Sequence, residues 1–143
     1  LMKNIRLNSL ENVVPLNVAA SDQRGRKEFF LSKTSNTGDN TFYPEKKHEF
    51  QKITVPCVRL DQLLSEFQIS RIDLMKVDVQ GAEEEVFKGM GEYLFLTDAI
   101  VYEDLNGQAT SFLRAQGLQI FDTPDPWYKI ARIKEFNNGG AKK

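Results

Sequence analysis

The fold of this chain is constrained most strongly by residues 72–83, an apolar run that ends in a glycine and a cluster of glutamates. The run Ile72–Val77 carries Ile, Leu, Met and Val with two charged residues set into it, as is typical of a buried strand in a parallel sheet. The glycine permits a tight turn, and the glutamates that follow favour the positive end of a helix dipole. The stretch therefore predicts a strand, a turn and a helix. Asp78 and Gln80 then lie at the carboxyl end of the strand, where open α/β sheets bind ligands.

Strands and helices alternate along the rest of the chain, which indicates an α/β fold whose sheet has a parallel centre and an antiparallel end. Hydrophobic spacing defines the helices, and short apolar runs bounded by turn residues define the strands. The predicted strands are 13–20, 27–31, 53–58, 72–77, 99–103, 118–121 and 127–131, and the predicted helices lie at 1–8, after Asp61, from Glu83 and around Phe112.

Three local features of this pattern make specific predictions. Pro56 lacks a backbone N–H and therefore favours an edge strand. Asp61 is a plausible N-cap for a short helix that carries Leu63, Leu64 and Phe67 inward. The apolar face of the helix after the central strand consists of Ala82, Val86, Phe87 and Met90.

Composition narrows the functional class. The chain has 143 residues, enough for one domain, and a formal net charge of -1, so no bulk field indicates binding to nucleic acid or acidic membranes. A single cysteine, Cys57, excludes an internal disulfide and a CxxC metal site. No apolar run approaches the roughly 18 residues that span a bilayer, and no signal-peptide pattern opens the chain. We expect a soluble, cytoplasmic protein without a metal site.

Two segments predict little regular structure. Residues 32–52 are mostly polar, and a connection of about 20 residues is too long to be idle in a compact domain, so we expect a mobile loop or lid. His48, the single histidine, lies in a charged part of that loop and is expected to be solvated. Residues 137–143 are expected to form a frayed tail.

Several motifs carry a family resemblance. The sequence Lys-Val-Asp-Val-Gln-Gly-Ala-Glu at 76–83, followed by Val86 and Lys88-Gly89, resembles the central motif of the FkbM-type methyltransferases. Residues 4–8, 18–25 and 58–64 fit the same family in the same order. Such enzymes transfer a methyl group from S-adenosylmethionine, usually to a hydroxyl oxygen of a sugar, glycolipid or polyketide. The resemblance implies a Rossmann-like class I methyltransferase sheet, S-adenosylmethionine as cofactor and a small-molecule or glycan acceptor.

The chain departs from the family pattern at its start. The family's glycine-rich loop and ribose-binding acidic residue lie upstream of the helix at which this sequence begins. In the family strand order 3-2-1-4-5-7-6, the chain supplies strands 3 to 7, and strands 1 and 2 would lie between residues 13–18 and 72–77. A sheet without its middle leaves backbone groups of the flanking strands unpaired. We therefore expect residues 1–143 to be a single, N-terminally incomplete domain, completed by a missing segment, by rearranged strands or by a second chain, as in a homo-oligomer.

The resemblance also suggests roles for individual residues. Asp78 falls at the family's substrate-side carboxylate, beside the cofactor's sulfonium, where it could orient the acceptor hydroxyl, act as general base or help to hold a metal. The alternative is a structural carboxylate that pairs with Lys76 or caps the turn. From strand alternation we expect Lys76 to lie on the face opposite to Asp78, which argues against direct cooperation between them.

Cofactor binding is assigned to Ser21, Asp22 and Asp78, because residues 21–22 fall where adenine is usually met in this fold; ordinary turn chemistry is the alternative. The acceptor side is less defined, since Gln80 replaces a glutamate of many relatives and cannot act as a base. Glu83 is equally typical of a dipole-stabilising first-turn residue, and Glu103 of a solvated strand end. The candidates for substrate binding are Gln80, Glu83, Glu103 and Asn40.

The expected function is O-methylation by the full-length parent protein. Two alternatives stay open. One is a non-catalytic truncated remnant or a partner-dependent binding domain. The other is a different doubly wound enzyme, such as one that acts on a nucleotide-sugar, because fold does not fix function.

Overall fold

The computed structural model describes residues 1–33, 37–44 and 49–133 and contains two β-sheets. Short 3₁₀ turns lie at Thr37–Asp39 and Gly91–Leu94. The helices are α1 (Met2–Leu7), α2 (Leu60–Glu66), α3 (Glu83–Met90) and α4 (Gln108–Ala115). The strands are β1 (Ala19–Ala20), β2 (Gly25–Ser32), β3 (Phe50–Val58), β4 (Ile72–Val77), β5 (Thr97–Glu103), β6 (Gln119–Asp122) and β7 (Tyr128–Arg132).

The larger sheet has the order β4-β5-β7-β6. β4 and β5 are parallel, whereas β7 is antiparallel to both β5 and β6. The predicted α/β class is confirmed, although the described strands form two mixed sheets. The parallel pair brings the ends of β4 and β5 to one edge, beside the start of β7.

The smaller sheet has the order β1-β3-β2, with β1 parallel and β2 antiparallel to β3. The strand predicted at 13–20 is reduced to Ala19–Ala20, and Val14 is 67% exposed. The prediction that the strand containing Pro56 lies at the edge of a sheet is wrong, because β3 is the central strand of the smaller sheet. Proline is tolerated there because β1 pairs only with Cys57 and Val58, so that at Pro56 the described chain supplies a strand neighbour on one side alone.

The start of α2 also differs from the prediction. The N-cap is Arg59, and Asp61 lies in the first turn. The Arg59 guanidinium binds the Asp61 carboxylate, with Nη2 2.5 Å from Oδ2. The carboxylate also accepts a hydrogen bond from the adjacent Gln62 N–H at 2.7 Å, so Asp61 stabilises the first turn from within the helix and is not its N-cap. Phe67 does not point inward as predicted, since it is 48% exposed, whereas Leu64 packs against the core as predicted.

The core lies between α3, α4 and the β4-β5-β7 face. The apolar face predicted for α3 is confirmed, because all four of its residues are buried. Phe87 meets Tyr102 of β5 edge-to-face, with ring centroids 5.5 Å apart. Each large side chain buried here contributes about 1.5–3 kcal/mol of hydrophobic stabilisation. The core therefore fixes α3 against the sheet whose carboxyl edge carries the candidate residues.

α3 also joins the two sheets. A Cβ at Gly89 would lie 2.1 Å from the Ser21 carbonyl oxygen, so only glycine lets the helix approach the end of β1 this closely. Arg59 stabilises the chain just after β1, because its Nη1 donates a hydrogen bond to the Asp22 carbonyl at 2.8 Å. Within residues 1–33, 37–44 and 49–133, no strand bridges the sheets: β1 pairs only with β3, and β4 only with β5. Leu74 of β4 is 65% exposed.

Candidate functional site

Asp78 follows β4 and is the centre of a hydrogen-bonded cluster. Its Oδ2 lies 2.6 Å from the Lys76 Nζ and accepts a hydrogen bond from the Tyr128 hydroxyl at 2.8 Å. Its Oδ1 accepts from the Gln80 amide at 3.2 Å. The Lys76 ammonium also lies 5.4 Å from the centroid of the Tyr128 ring. Asp78 is therefore held from its own strand, from the following turn and from β7.

The expected orientation of Lys76 is wrong. Residues two apart along a strand share a face, because side chains alternate with a period of two. Lys76 and Asp78 are two apart and form an ion pair. The alternative prediction for Asp78, a structural carboxylate that pairs with Lys76, agrees with this ion pair.

Gln80 connects Asp78 to a second carboxylate. Its Nε2 donates to Glu103 Oε2 at 2.7 Å as well as to Asp78. Glu103 ends β5 and is partly buried. Among the described residues, Gln80 is the one hydrogen-bond donor to the Glu103 carboxylate. An amide bearing two N–H groups thus bridges two carboxylates at the edge of the sheet.

The pKa values of the two carboxylates are shifted in opposite directions. The hydrogen bond from Lys76 outweighs partial burial and, with that from Tyr128, holds the pKa of Asp78 below its usual value. Burial raises the pKa of Glu103, and the negative charges of Asp78 and Glu83 raise it further. Asp78 is therefore a stabilised anion, whereas Glu103 accepts a proton more readily than an ordinary glutamate.

The turn after β4 has a restricted backbone. Gln80 adopts a φ of 52°, a left-handed conformation that is uncommon outside glycine, and Gly81 follows with a φ of 97°. The Glu83 carboxylate, 3% exposed, folds back to accept the N–H groups of Val79 at 3.1 Å and Gly81 at 3.0 Å. These contacts favour the first-turn role for Glu83, and its contact with a substrate stays a prediction.

Thr41 holds the same turn from the other sheet, although it is not among the site residues predicted from the sequence. Its Oγ1 donates to the Gln80 carbonyl at 2.8 Å and accepts the Tyr43 N–H at 2.9 Å. Its backbone bridges Phe30 of β2. The neighbouring Asn40 accepts the Ser32 N–H through Oδ1 at 2.8 Å, which closes the end of β2. The described part of the long loop therefore packs against the candidate site.

A cavity of about 820 Å³ opens beside this turn, at the carboxyl ends of three strands. Asp22 reaches it from β1, Gln80 and Gly81 from β4, and Asn106 from beyond β5. Of the predicted site residues, Asp22 and Gln80 are on the described lining, whereas Asp78 and Glu103 contact it through Gln80. The further lining residues are Asp39, Thr41, Tyr43, Phe50, Glu84, Glu85, Lys88, Leu105 and Gln108.

Glu85 anchors a second polar cluster on the far side of the cavity. Its Oε2 lies 2.5 Å from the Lys27 Nζ and accepts the Ser21 hydroxyl at 3.1 Å, and its Oε1 accepts the Tyr43 hydroxyl. Burial, and then the hydrogen bond to Glu85, raise the pKa of Tyr43 to about 12. Burial would raise the pKa of Glu85, but the hydrogen bonds from Lys27 and Tyr43 outweigh it and lower that pKa.

Ser21 is fully buried and supports this cluster instead of lining the cavity. Its backbone N–H donates to the Val58 carbonyl at 2.9 Å, which extends the β1–β3 pairing by one residue. Its hydroxyl contacts Asp22 and Glu85, each at 3.1 Å. Any role of Ser21 in cofactor binding therefore runs through these neighbours.

Two further predictions concern metals and membranes. The described ranges contain no group of three or more His, Cys, Asp and Glu side chains that could hold a metal ion. His48 lies outside the described residues. No helix in the part of the chain that the structure describes is long and apolar enough to cross a membrane.

Comparison with known families identifies the chain. The family defined as the methyltransferase FkbM domain matches residues 2–121, most of the sequence. The chain belongs to this family. Neither the search of curated proteins nor that of solved structures gives a match. Membership implies methyl transfer, and methyltransferases of this kind generally use S-adenosylmethionine and act on small molecules. The range matched by the FkbM domain includes every residue on the described lining of the cavity.

The described cavity has a size and donor set that fit S-adenosylmethionine. Small-molecule sites usually measure about 300–1,000 Å³, and this one falls in that range. The carboxylates on its lining suit a ligand with a sulfonium and an amino group, both of them cationic. The carboxylate of Asp22 and the amide of Gln80 can hydrogen-bond a nucleoside.

Proposed function

We propose that this FkbM domain takes part in S-adenosylmethionine-dependent methyl transfer to a hydroxyl oxygen, on a sugar, glycolipid or polyketide-type acceptor. The observation that carries the proposal is Gln80, which lines the cavity and also binds the carboxylate pair Asp78 and Glu103. A cofactor in the cavity and an acceptor at the carboxylates would then meet at one turn.

Cofactor binding would involve the ends of β1 and β4. Asp22 would meet the adenosine part, supported from behind by Ser21, and the turn at Gln80 and Gly81 would face the sulfonium. When bound, S-adenosylmethionine supplies an electrophilic methyl group. The restricted backbone of the turn, held by Thr41 and Glu83, would keep the donor side fixed during the reaction.

Acceptor binding would involve the carboxylate pair. Asp78, held by Lys76 and Tyr128, is proposed to accept a hydrogen bond from an acceptor hydroxyl and to orient it toward the cavity. Direct displacement requires mainly alignment of the acceptor oxygen, the methyl carbon and the leaving sulfur, and only secondarily a proton acceptor. Asn40 and Glu83 are left with supporting roles in this proposal, because their described contacts are to backbone N–H groups.

Calorimetric titration of the 143-residue chain with S-adenosylhomocysteine, with circular dichroism alongside, tests the cofactor part. We expect a folded chain to bind the ligand, and Asp22→Asn to weaken binding about tenfold through loss of a charged hydrogen bond. Glu92→Gln is the matched control, because Glu92 is exposed and lies in the turn before β5, at the opposite edge of the sheet. A folded chain that takes up no ligand contradicts the proposal for this chain.

Transfer of a labelled methyl group from S-adenosylmethionine to a panel of methyl glycosides and simple polyols tests the acceptor part. We expect a labelled methyl ether as the product. If the chain binds S-adenosylhomocysteine but Asp78→Asn leaves turnover unchanged, Asp78 has no role in the reaction.

A second candidate function is a partner-dependent binding domain. It is favoured by the edge of β4 that has no described neighbour and by the exposure of Leu74 beside it. Unpaired strand edges template pairing with further strands. A second copy of the chain would supply the strands in question. Light scattering of the purified chain tests this candidate: concentration-dependent association that Leu74→Lys abolishes supports it, and a monomer at all concentrations contradicts it.

A further inference from the structure

We infer that Glu103, and not Asp78, is the group that takes the proton from the acceptor hydroxyl; this inference rests on the function proposed above. In the step, the acceptor oxygen bonds to the methyl carbon while the carbon–sulfur electron pair leaves with sulfur. The hydroxyl proton passes to a carboxylate oxygen of Glu103. Asp78 is then the positioning anion of the pair.

The first argument is the number of hydrogen bonds that each carboxylate accepts. Asp78 accepts from Lys76, Tyr128 and Gln80, and a proton added to it would displace at least one of these donors. Glu103 accepts from Gln80 on Oε2 alone, and its Oε1 accepts no hydrogen bond from the described residues. A general base needs a carboxylate oxygen that can accept the substrate proton, and Oε1 of Glu103 is not occupied by a donor from the described residues.

The second argument is charge. A lysine ammonium 2.6 Å from Asp78 stabilises its ionised form and weakens it as a base. Glu103 is partly buried and has no ion pair among the described residues, and the nearby acidic groups disfavour its charge. Burial is the largest cause that raises the pKa of Glu103, and this direction agrees with the small number of hydrogen bonds that its carboxylate accepts. The titratable groups that face Glu103 are Asp78 and Lys76 from the β4 side, Glu83 from α3, Tyr128 from β7 and Asp125 from the turn before it.

The third argument concerns Gln80. A neutral amide at this position donates to both carboxylates at once, so it holds Glu103 next to Asp78 without adding a third negative charge. The Gln80 side chain belongs to a residue on the cavity lining, and Glu103 lies one hydrogen bond away from it, at 2.7 Å. Gln80 is therefore a positioning residue for the base.

Carbon-13 NMR titration of the side-chain carboxyls tests this inference without an acceptor. In the intact chain, we expect Glu103 to titrate at higher pH than an ordinary glutamate, and Asp78 to titrate at lower pH than an ordinary aspartate. Asp78→Asn should move the Glu103 midpoint to lower pH, because a neighbouring negative charge is removed. Two interacting carboxylates titrate as a coupled pair, so the midpoint of each is assigned from a variant in which the other carboxylate is replaced by an amide. An Asp78 that titrates above Glu103 overturns the inference.

The pH dependence of kcat/KM, measured with an acceptor from the transfer assay, supplies the catalytic readout. Glu103→Gln should lower kcat about 10²-fold or more and remove the acidic limb of the profile, with S-adenosylhomocysteine affinity unchanged. Asp78→Asn should retain that limb, shifted to lower pH, and Glu92→Gln should match the parent. A Glu103→Gln variant that keeps both rate and limb overturns the inference. Absence of transfer by the parent chain contradicts the proposed function instead, and the titration still decides which carboxylate accepts the proton.

Discussion

The two polar clusters beside the cavity contain the same kinds of group but differ in how completely these are paired. Around Glu85, a lysine, a tyrosine and a serine all donate to one carboxylate, and both of its oxygens are used. Around Gln80, the donors are concentrated on Asp78, and Glu103 receives a single hydrogen bond. A fully paired carboxylate stabilises the fold, whereas a carboxylate with spare capacity is available for chemistry.

The largest expected effect comes from the helix that joins the clusters. Gly89→Ala should lower the free energy of unfolding by about 2–3 kcal/mol, because its Cβ would overlap the Ser21 carbonyl and force the backbone apart. Denaturation in urea measures this change. Lys88→Ala is the control, since Lys88 is exposed on the same helix and its pair with Glu84 is worth about 0.3–0.5 kcal/mol. Equal stabilities of the two variants would mean that α3 shifts freely from β1.

Removing the centre of the paired cluster should have a smaller effect. Glu85→Gln should lower the free energy of unfolding by about 1–2 kcal/mol at pH 7, because Lys27 loses its closest anion in a partly buried setting. Glu84→Gln, the adjacent carboxylate in an exposed helical pair with Lys88, should change it by less than about 0.5 kcal/mol. Similar losses for both variants would show that the Glu85 cluster contributes no more than a surface pair.

The hydrogen bond from Thr41 to the Gln80 carbonyl is expected to contribute less to the free energy of unfolding than the Glu85 cluster does. Thr41→Val keeps the side-chain volume but leaves the Gln80 carbonyl without its donor, at a cost of about 1 kcal/mol. Thermal unfolding measures the loss, and Thr41→Ser, which retains the hydroxyl, should recover most of it. If serine and valine are equally destabilising, the methyl group of Thr41, not its hydroxyl, holds the loop.

The smallest effect, a dependence on pH, distinguishes the clusters by sign. The folded pKa of Glu85 is lowered, so its contribution to stability is present above the ordinary glutamate pKa and is lost as pH falls through the folded value. The folded pKa of Glu103 is raised, so its contribution is full below the ordinary value and is lost as pH rises through the folded one.

Unfolding measured between pH 3 and pH 8 should therefore show two opposite trends. The deficit of Glu85→Gln relative to the parent should shrink on acidification. Glu103→Gln should improve relative to the parent as pH rises. Parallel curves for the two variants would contradict the assigned difference between the clusters.

Sequence patterns were sufficient where neighbours along the chain determine the structure. The apolar run Ile72–Val77, the glycine and the glutamates predicted β4, its turn and α3, because strand and helix periodicity are local properties. The motif from Lys76 to Gly89 also identified the family. Patterns were insufficient for Pro56, whose position in the sheet depends on how short β1 is.

The partners of the site residues could not be predicted in the same way. Tyr128 binds Asp78 across a separation of 50 residues, and Thr41 binds Gln80 across 39. Threonine and tyrosine are common in polar loops and at strand ends, so residue type alone does not mark Thr41 or Tyr128 as a partner of the site. The absence of strands 1 and 2 from the sheet, the mobility of the loop 32–52, the frayed tail and a cytoplasmic location remain predictions.

The sequence by itself determined the family, the strand β4 with the helix α3 that follows it, and the presence of carboxylates at the carboxyl edge of the sheet. These follow from periodicity and from a contiguous motif, which are both properties of neighbouring residues. Only the tertiary structure decided how protons and charges are distributed among those carboxylates. Whether a carboxylate meets a lysine, an amide or no donor depends on which distant strands the fold places beside it, and this determines its affinity for a proton.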